Sequence, residues 1–132
     1  QTINTKLAPS PIVPAYSQAR EYANLIFVAG QIGINPKTDT IETNDVSNQT
    51  IQALTNLKNI LEAGGSNLDN VLTTTIYLNE DFVNYFPIVN VEYLKFFNNQ
   101  SLPARATMAV KQLPLKGTVQ ALVEISAVAV KI

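Results

Sequence analysis

The sequence predicts a two-layer α+β domain in which one mixed β-sheet carries two helices on the same face. Two segments place apolar residues at helical spacing, and at least five others have strand composition. Along the chain they follow the order β-β-α-β-α-β-β, and residues 1–132 read as one domain, with no internal repeat and no linker rich in glycine or serine.

Leu25 to Ile32 reads as a strand bounded by Ala23-Asn24 and by Gly33 with the Asn35-Pro36 turn, and Tyr16 to Tyr22 is expected to pair with it as a hairpin. Within this run Gly30 marks a bulge, a place where something approaches the backbone closely, or a packing glycine. Val46, Thr50, Ala53, Leu54, Leu57, Ile60 and Leu61 form one buried stripe of a helix. Asp45 is placed to cap it, and Gly64-Gly65 to end it. Val71 to Leu78 is rich in β-branched residues and reads as a strand. A second helix is expected from about Tyr85 to Phe97. Its aromatic stripe (Phe86, Tyr93, Phe96, Phe97) reads as core, and Pro87 is placed in the first turn, where a missing N–H is harmless. Two long strands follow, Arg105 to Leu113 and Val119 to Lys131, expected to be joined by a hairpin through Pro114-Leu115-Lys116-Gly117.

Both helices on one face leave the other sheet face uncovered and apolar. With 46% hydrophobic and only 14% charged residues, that face is expected to meet another subunit. The nine Lys and Arg residues are scattered, the net charge is −1 and the pI is near 5.3, so nucleic acid is not an expected partner. No apolar run is long enough to span a membrane. No targeting peptide is visible in the chain, and the cytoplasm or mitochondrial matrix is the expected compartment. The absence of cysteine and histidine excludes a thiol nucleophile, a Ser-His dyad, a disulfide and an ordinary zinc site. Catalysis would have to rely on carboxylates, tyrosine, hydroxyls, arginine or lysine, backbone groups and water, an inventory that suits an already reactive substrate.

Arg105 stands at the start of an apolar strand, with Thr107 on the same face by alternation. Its planar fork of donors suits a carboxylate, and the competing reading is a structural ion pair. Glu124 is the one carboxylate in the run from Val119 to Val130. It must pair with a cation such as Arg105 or a lysine, or hold a proton or a water.

The segments Pro14-Ala15-Tyr16-Ser17-Gln18-Ala19, Phe27 to Ile32, Gln52 to Lys58, Pro103-Ala104-Arg105 and Val123-Glu124-Ile125, in this order, resemble the RidA/YjgF-like reactive intermediate deaminases over almost the whole chain. The resemblance implies a chorismate-mutase-like fold and a homotrimer with ligand clefts between subunits. It also implies hydrolysis of 2-imino or 2-enamino acids to 2-keto acids and ammonia, with no metal or cofactor. Carried over by position, Arg105 grips the substrate carboxylate, Gly30 assists through its backbone, Tyr16 lines the cleft and Glu124 handles the reacting water. Asn90 lines or supports the cleft, or is an ordinary helix-surface amide. Ala29 stands where many deaminating members carry serine, Thr107 where cysteine is frequent, and the connection from Pro114 to Val123 is longer than usual. Two further readings stay open, a non-catalytic trimer that binds small carboxylates and a ribonuclease or translation inhibitor.

Overall fold

The computed structural model describes residues 1–132. The strands are β1 (Thr2–Ile3), β2 (Ala19–Tyr22), β3 (Leu25–Gln31), β4 (Ile34–Asn35), β5 (Thr40–Ile41), β6 (Val71–Asn79), β7 (Ala104–Val110), β8 (Leu115–Lys116), β9 (Val119–Gln120) and β10 (Val123–Val130). The helices are α1 (Val46–Ala63) and α2 (Phe82–Leu94). Six strands form one sheet in the order β1-β2-β3-β10-β6-β7, while β4-β5 and β8-β9 are separate two-stranded ribbons. The main sheet is mixed. The β6–β7 pair is parallel and spanned by α2, and the other pairs are antiparallel. The expected class, with both helices on one face, is the one observed.

Hydrophobic burial on that face builds the core. From the strands come Ile26, Val28, Ile76, Leu78, Val123, Ile125, Ala127 and Ala129, and from α1 come Ala53, Leu54, Leu57, Ile60 and Leu61. The ends of α1 match the sequence reading. Asp45 accepts from the Asn48 N–H at 3.1 Å. At the other end Gly65 has φ +83°, with Gly65 N–H donating to Glu62 O at 3.2 Å and Ser66 N–H to Leu61 O at 2.9 Å, the paired closure that satisfies the last carbonyls. The β2–β3 turn places Ala23 and Asn24 at φ 50° and 64°, the mirror-image turn that suits the twist of a two-residue hairpin.

Two expectations are corrected. The second helix begins at Phe82 rather than near Tyr85, because Asp81 caps it by accepting from the Asn84 N–H at 3.1 Å. Pro87 consequently lies inside the helix, beyond the first turn, and Phe96 and Phe97 extend the apolar stripe from the turn that follows. The long strands β7 and β10 are not hairpin neighbours, since β6 lies between them. The predicted turn exists only as the small β8–β9 ribbon, with Gly117 at φ +63°. The physical reason is burial. The near-continuous apolar run of β10 is best satisfied at the sheet centre, whereas β7 can leave one face and one edge open.

The face opposite the helices carries Phe27, Val128, Thr73 and Ala104 in one cross-strand row and Ser126, Thr75 and Ala106 in the next. Phe27 and Met108 are 42% and 41% exposed there, so the uncovered apolar face expected from the sequence is present. No helix is long and apolar enough to cross a membrane.

Candidate functional site

The sequence-derived residues fall into two groups. Arg105 is opposite Thr74 of β6, which is opposite Ala127 of β10, so its side chain leaves the sheet on the helix side. Glu124 is opposite Tyr77, which is opposite Met108, a row on the uncovered face. Within one chain the two charges therefore lie on opposite faces and form no ion pair, and Glu124 has no lysine partner either. The structural pairing considered for both residues is not made.

The arginine group sits where α2 crosses β7. Arg105 Nη2 donates to Asn90 Oδ1 at 2.7 Å. Its guanidinium carbon lies 4.9 Å from the Tyr93 ring centre and 5.5 Å from that of Phe86, within range of a cation–π attraction. Tyr93 is fixed in turn by a 2.7 Å hydrogen bond with the Thr74 hydroxyl. Burial raises the Tyr93 pKa above its ordinary value, opposed by the Thr74 hydrogen bond and the Arg105 charge. Arg105, Asn90 and Tyr93, with Leu94, Leu102 and Pro103, line an open recess of about 300 Å³. Thr107 lies on the same side of β7, but its buried hydroxyl has no hydrogen-bond partner and it does not line this recess.

The acid group sits under the N-terminal proline segment. Tyr16, Gly30 and Glu124 line a recess roofed by Pro9, Pro11 and Ile12. A Cβ on Gly30 would lie 2.7 Å from the Glu124 carboxyl carbon, so the glycine makes room for this carboxylate. The register also shifts at this point, where Gln31 pairs with Ile125 but Val28 with Ala127. Gly30 is thus both a bulge residue and a site of close approach. Burial raises the Glu124 pKa, and no cation offsets it. The Tyr16 hydroxyl accepts from the Ile12 N–H at 3.1 Å. Ala29 lies beside Tyr16 in a neighbouring shallow groove rather than in the Glu124 recess.

Three buried amides hold this second group in place, and none is among the residues expected at the site from the sequence. Gln18 accepts from the Thr5 N–H at 2.8 Å and donates to Pro9 O at 2.8 Å, which ties down the proline roof. Gln49 accepts from the Leu122 N–H at 2.7 Å and donates to Gln120 O at 3.1 Å, which sets the entry to β10 just before Glu124. Asn56 donates to Ile34 O at 2.9 Å and Ile32 O at 3.2 Å, which fixes the chain after Gly30. Gln49 and Asn56 occupy the buried stripe of α1 at helical spacing. A polar residue at a core position was the available signal.

Fold and site together make this a two-layer α+β protein with a cation at one sheet edge and a half-buried acid at a β-bulge. The chain belongs to the Endoribonuclease L-PSP family, the RidA/YjgF/RutC family, whose model matches residues 5–131. It is 44% identical over 131 residues to a RutC family protein of Pyrococcus horikoshii, covering 99% of this chain and 98% of that one. It is 38% identical over 133 residues to the 2-iminobutanoate/2-iminopropanoate deaminase of Escherichia coli, covering 99% and 98%. Among solved structures, the E. coli YjgF gene product superposes with a TM-score of 0.86 at 36% identity, covering 100% of this chain and 99% of that one. E. coli TdcF with bound serine gives 0.87 at 30% identity, also covering 100% and 99%.

Proposed function

We propose that this protein hydrolyses reactive 2-imino and 2-enamino acids, such as 2-iminopropionate and its enamine tautomer 2-aminoacrylate, to 2-keto acids and ammonia. The observation that carries the reading is the pair of uncompensated charges. Arg105 is an anion receptor with no carboxylate of its own, and Glu124 is an acid in a recess with no cation. The deaminase among the relatives and the serine-bound neighbour support a small amino-acid-like ligand.

Because the two charges lie on opposite faces of one chain, the reading requires the Arg105 edge of one subunit to meet the Tyr16–Gly30–Glu124 recess of another. We take the assembly to be a homotrimer closed through the uncovered sheet face. In the shared cleft Arg105 binds the carboxylate, Gly30 assists through its backbone and Tyr16 forms a wall. Asn90 and Ala29 are proposed as flanking ligand contacts, and Thr107 as a support behind them on the Arg105 side of β7. Glu124 accepts a proton from water as the oxygen adds to C2, giving a carbinolamine. The carboxylic acid then returns a proton to the nitrogen, and as the C–N bond breaks the carbinol hydroxyl gives its proton back to the Glu124 carboxylate, forming the C=O of the 2-keto acid and releasing ammonia. The iminium carbon is already electrophilic, so orientation and one proton shuttle are sufficient.

The test is to generate 2-aminoacrylate in situ with a dehydratase, trap the imine with semicarbazide, and measure its depletion by the protein without added metal. Depletion is expected, and light scattering should return three times the 14.4 kDa chain mass. The replacement of serine by Ala29 favours a second reading, a trimer that binds small carboxylates without turnover. Arg105-dependent pyruvate binding with no depletion would select it. RNA cleavage that survives both EDTA and Arg105→Ala would replace both readings.

A further inference from the structure

The manner in which Arg105 is held is unusual for a partly buried arginine. Such groups generally pair with a carboxylate, which fixes the side chain and cancels its charge. Here all three partners are uncharged: the Asn90 amide oxygen at 2.7 Å and the faces of Tyr93 and Phe86 at 4.9 and 5.5 Å. The nearest acid along α2, Glu92, is engaged elsewhere. It bridges Lys95 at 3.2 Å and accepts from the Ser47 hydroxyl at 3.1 Å, toward α1. The helix cap Asp81 is used by Asn84.

We propose that Asn90, Tyr93 and Phe86 act as positioning residues that form an uncharged cradle, orienting the guanidinium while leaving its full charge for an anionic ligand. The inference rests on the reading that Arg105 binds a carboxylate, and it assigns the choice of amide over acid at position 90 a role in ligand selection. One amide hydrogen bond and two ring faces direct the fork without occupying all of its donors. An aspartate at 90 would have nearly the same shape, yet it would form an internal ion pair that an incoming carboxylate must break.

The experiment compares Asn90→Asp, Asn90→Leu, Phe86→Leu and Arg105→Ala by calorimetric titration with pyruvate, using its uncharged amide as control, together with thermal melting. Asn90→Asp is expected to melt at or above the wild-type temperature while losing at least about tenfold in pyruvate affinity, with the amide control unchanged. In turnover it should raise KM more than it lowers kcat. Asn90→Leu and Phe86→Leu remove orientation without neutralising the charge, so their losses should be smaller. A purely structural role would move stability and binding in the same direction. Pyruvate binding by Asn90→Asp within about twofold of wild type, while Arg105→Ala abolishes it, would overturn the cradle and leave the clamp intact. Equal losses in Asn90→Asp and Asn90→Leu accompanied by lower melting would also overturn it. Pyruvate binding that survives Arg105→Ala would remove the clamp and the cradle together.

Discussion

Arg105 at the β7 edge and Glu124 under the proline segment both lack a partner of opposite charge, yet their surroundings differ in kind. The arginine is supported by groups that complement a cation, an amide oxygen and two aromatic faces, so little energy is stored there. The glutamate lies half-buried in a recess lined by prolines, aliphatic groups and uncharged polar side chains with no cation among them, and burial disfavours its charged form. The first environment keeps a charge available for binding. The second keeps a proton near the point of exchange, which is what a group that must both take and return one requires.

The largest expected effect comes from removing the binding half. Arg105→Ala is predicted to lower kcat/KM for imine hydrolysis on the order of 10³-fold, and Arg105→Lys to recover little of it, because an ammonium lacks the bidentate fork. Since Asn90 is neutral, the truncation strands no buried charge. Stability should fall only by the lost ring contacts and the Asn90 hydrogen bond, about 1–2 kcal/mol, read as a modest drop in melting temperature. A variant that simply unfolds would show that this edge is structural after all.

Glu124→Gln addresses the other half, and here binding and turnover should separate. Pyruvate affinity is expected to persist while kcat falls by roughly 10²-fold or more, since an amide cannot accept the proton of water. Unchanged turnover would reduce Glu124 to a recess lining and leave the two halves without a shared reaction.

Gly30→Ala should have an intermediate effect. The added methyl meets the Glu124 carboxylate, which must swing away, so kcat should fall by about tenfold and the acid limb of its pH profile should shift, with Arg105-dependent pyruvate binding less affected. The double variant Gly30→Ala, Glu124→Gln should be no slower than Glu124→Gln alone, because the glycine acts through the acid.

The smallest effect is on stability. Burial raises the folded-state pKa of Glu124 above the ordinary 4.5, so the folded chain holds this proton more tightly than the unfolded chain. Stability is then lost as pH rises from 4.5 through the raised value, and stays lost above it. Glu124→Gln is therefore expected to melt higher than wild type at neutral pH, with the gap closing below about pH 4. No comparable pH-dependent gain is expected from Arg105→Ala, and a melting curve series across pH distinguishes the two sites.

Local signals suffice where a residue's neighbours in sequence are also its neighbours in space. The stripe of α1, its Asp45 cap and its Gly65 stop all act within a few residues, and the Gly30 bulge lies inside a single strand. Pro87 falls beyond the expected first turn because Asp81, four residues before the expected start at Tyr85, caps the helix. The spacing of the aromatic stripe predicts core. It is core at Phe97, but Phe86 and Tyr93 also face Arg105, and helical spacing alone does not reveal what lies across from a helix.

By itself the sequence determined the α+β class, the two amphipathic helices, the uncovered apolar sheet face and the identity of Arg105 and Glu124 as charges in apolar strands. These follow from periodicity and composition, which are local and carry the hydrophobic effect directly. The three-dimensional packing is what puts β6 between β7 and β10, sends the two charges out of opposite faces of the sheet, and gives the arginine Asn90 rather than a carboxylate as its partner. Strand order depends on which run of residues gains most from central burial, and side-chain partnership depends on strand order, so neither is set by spacing along the chain.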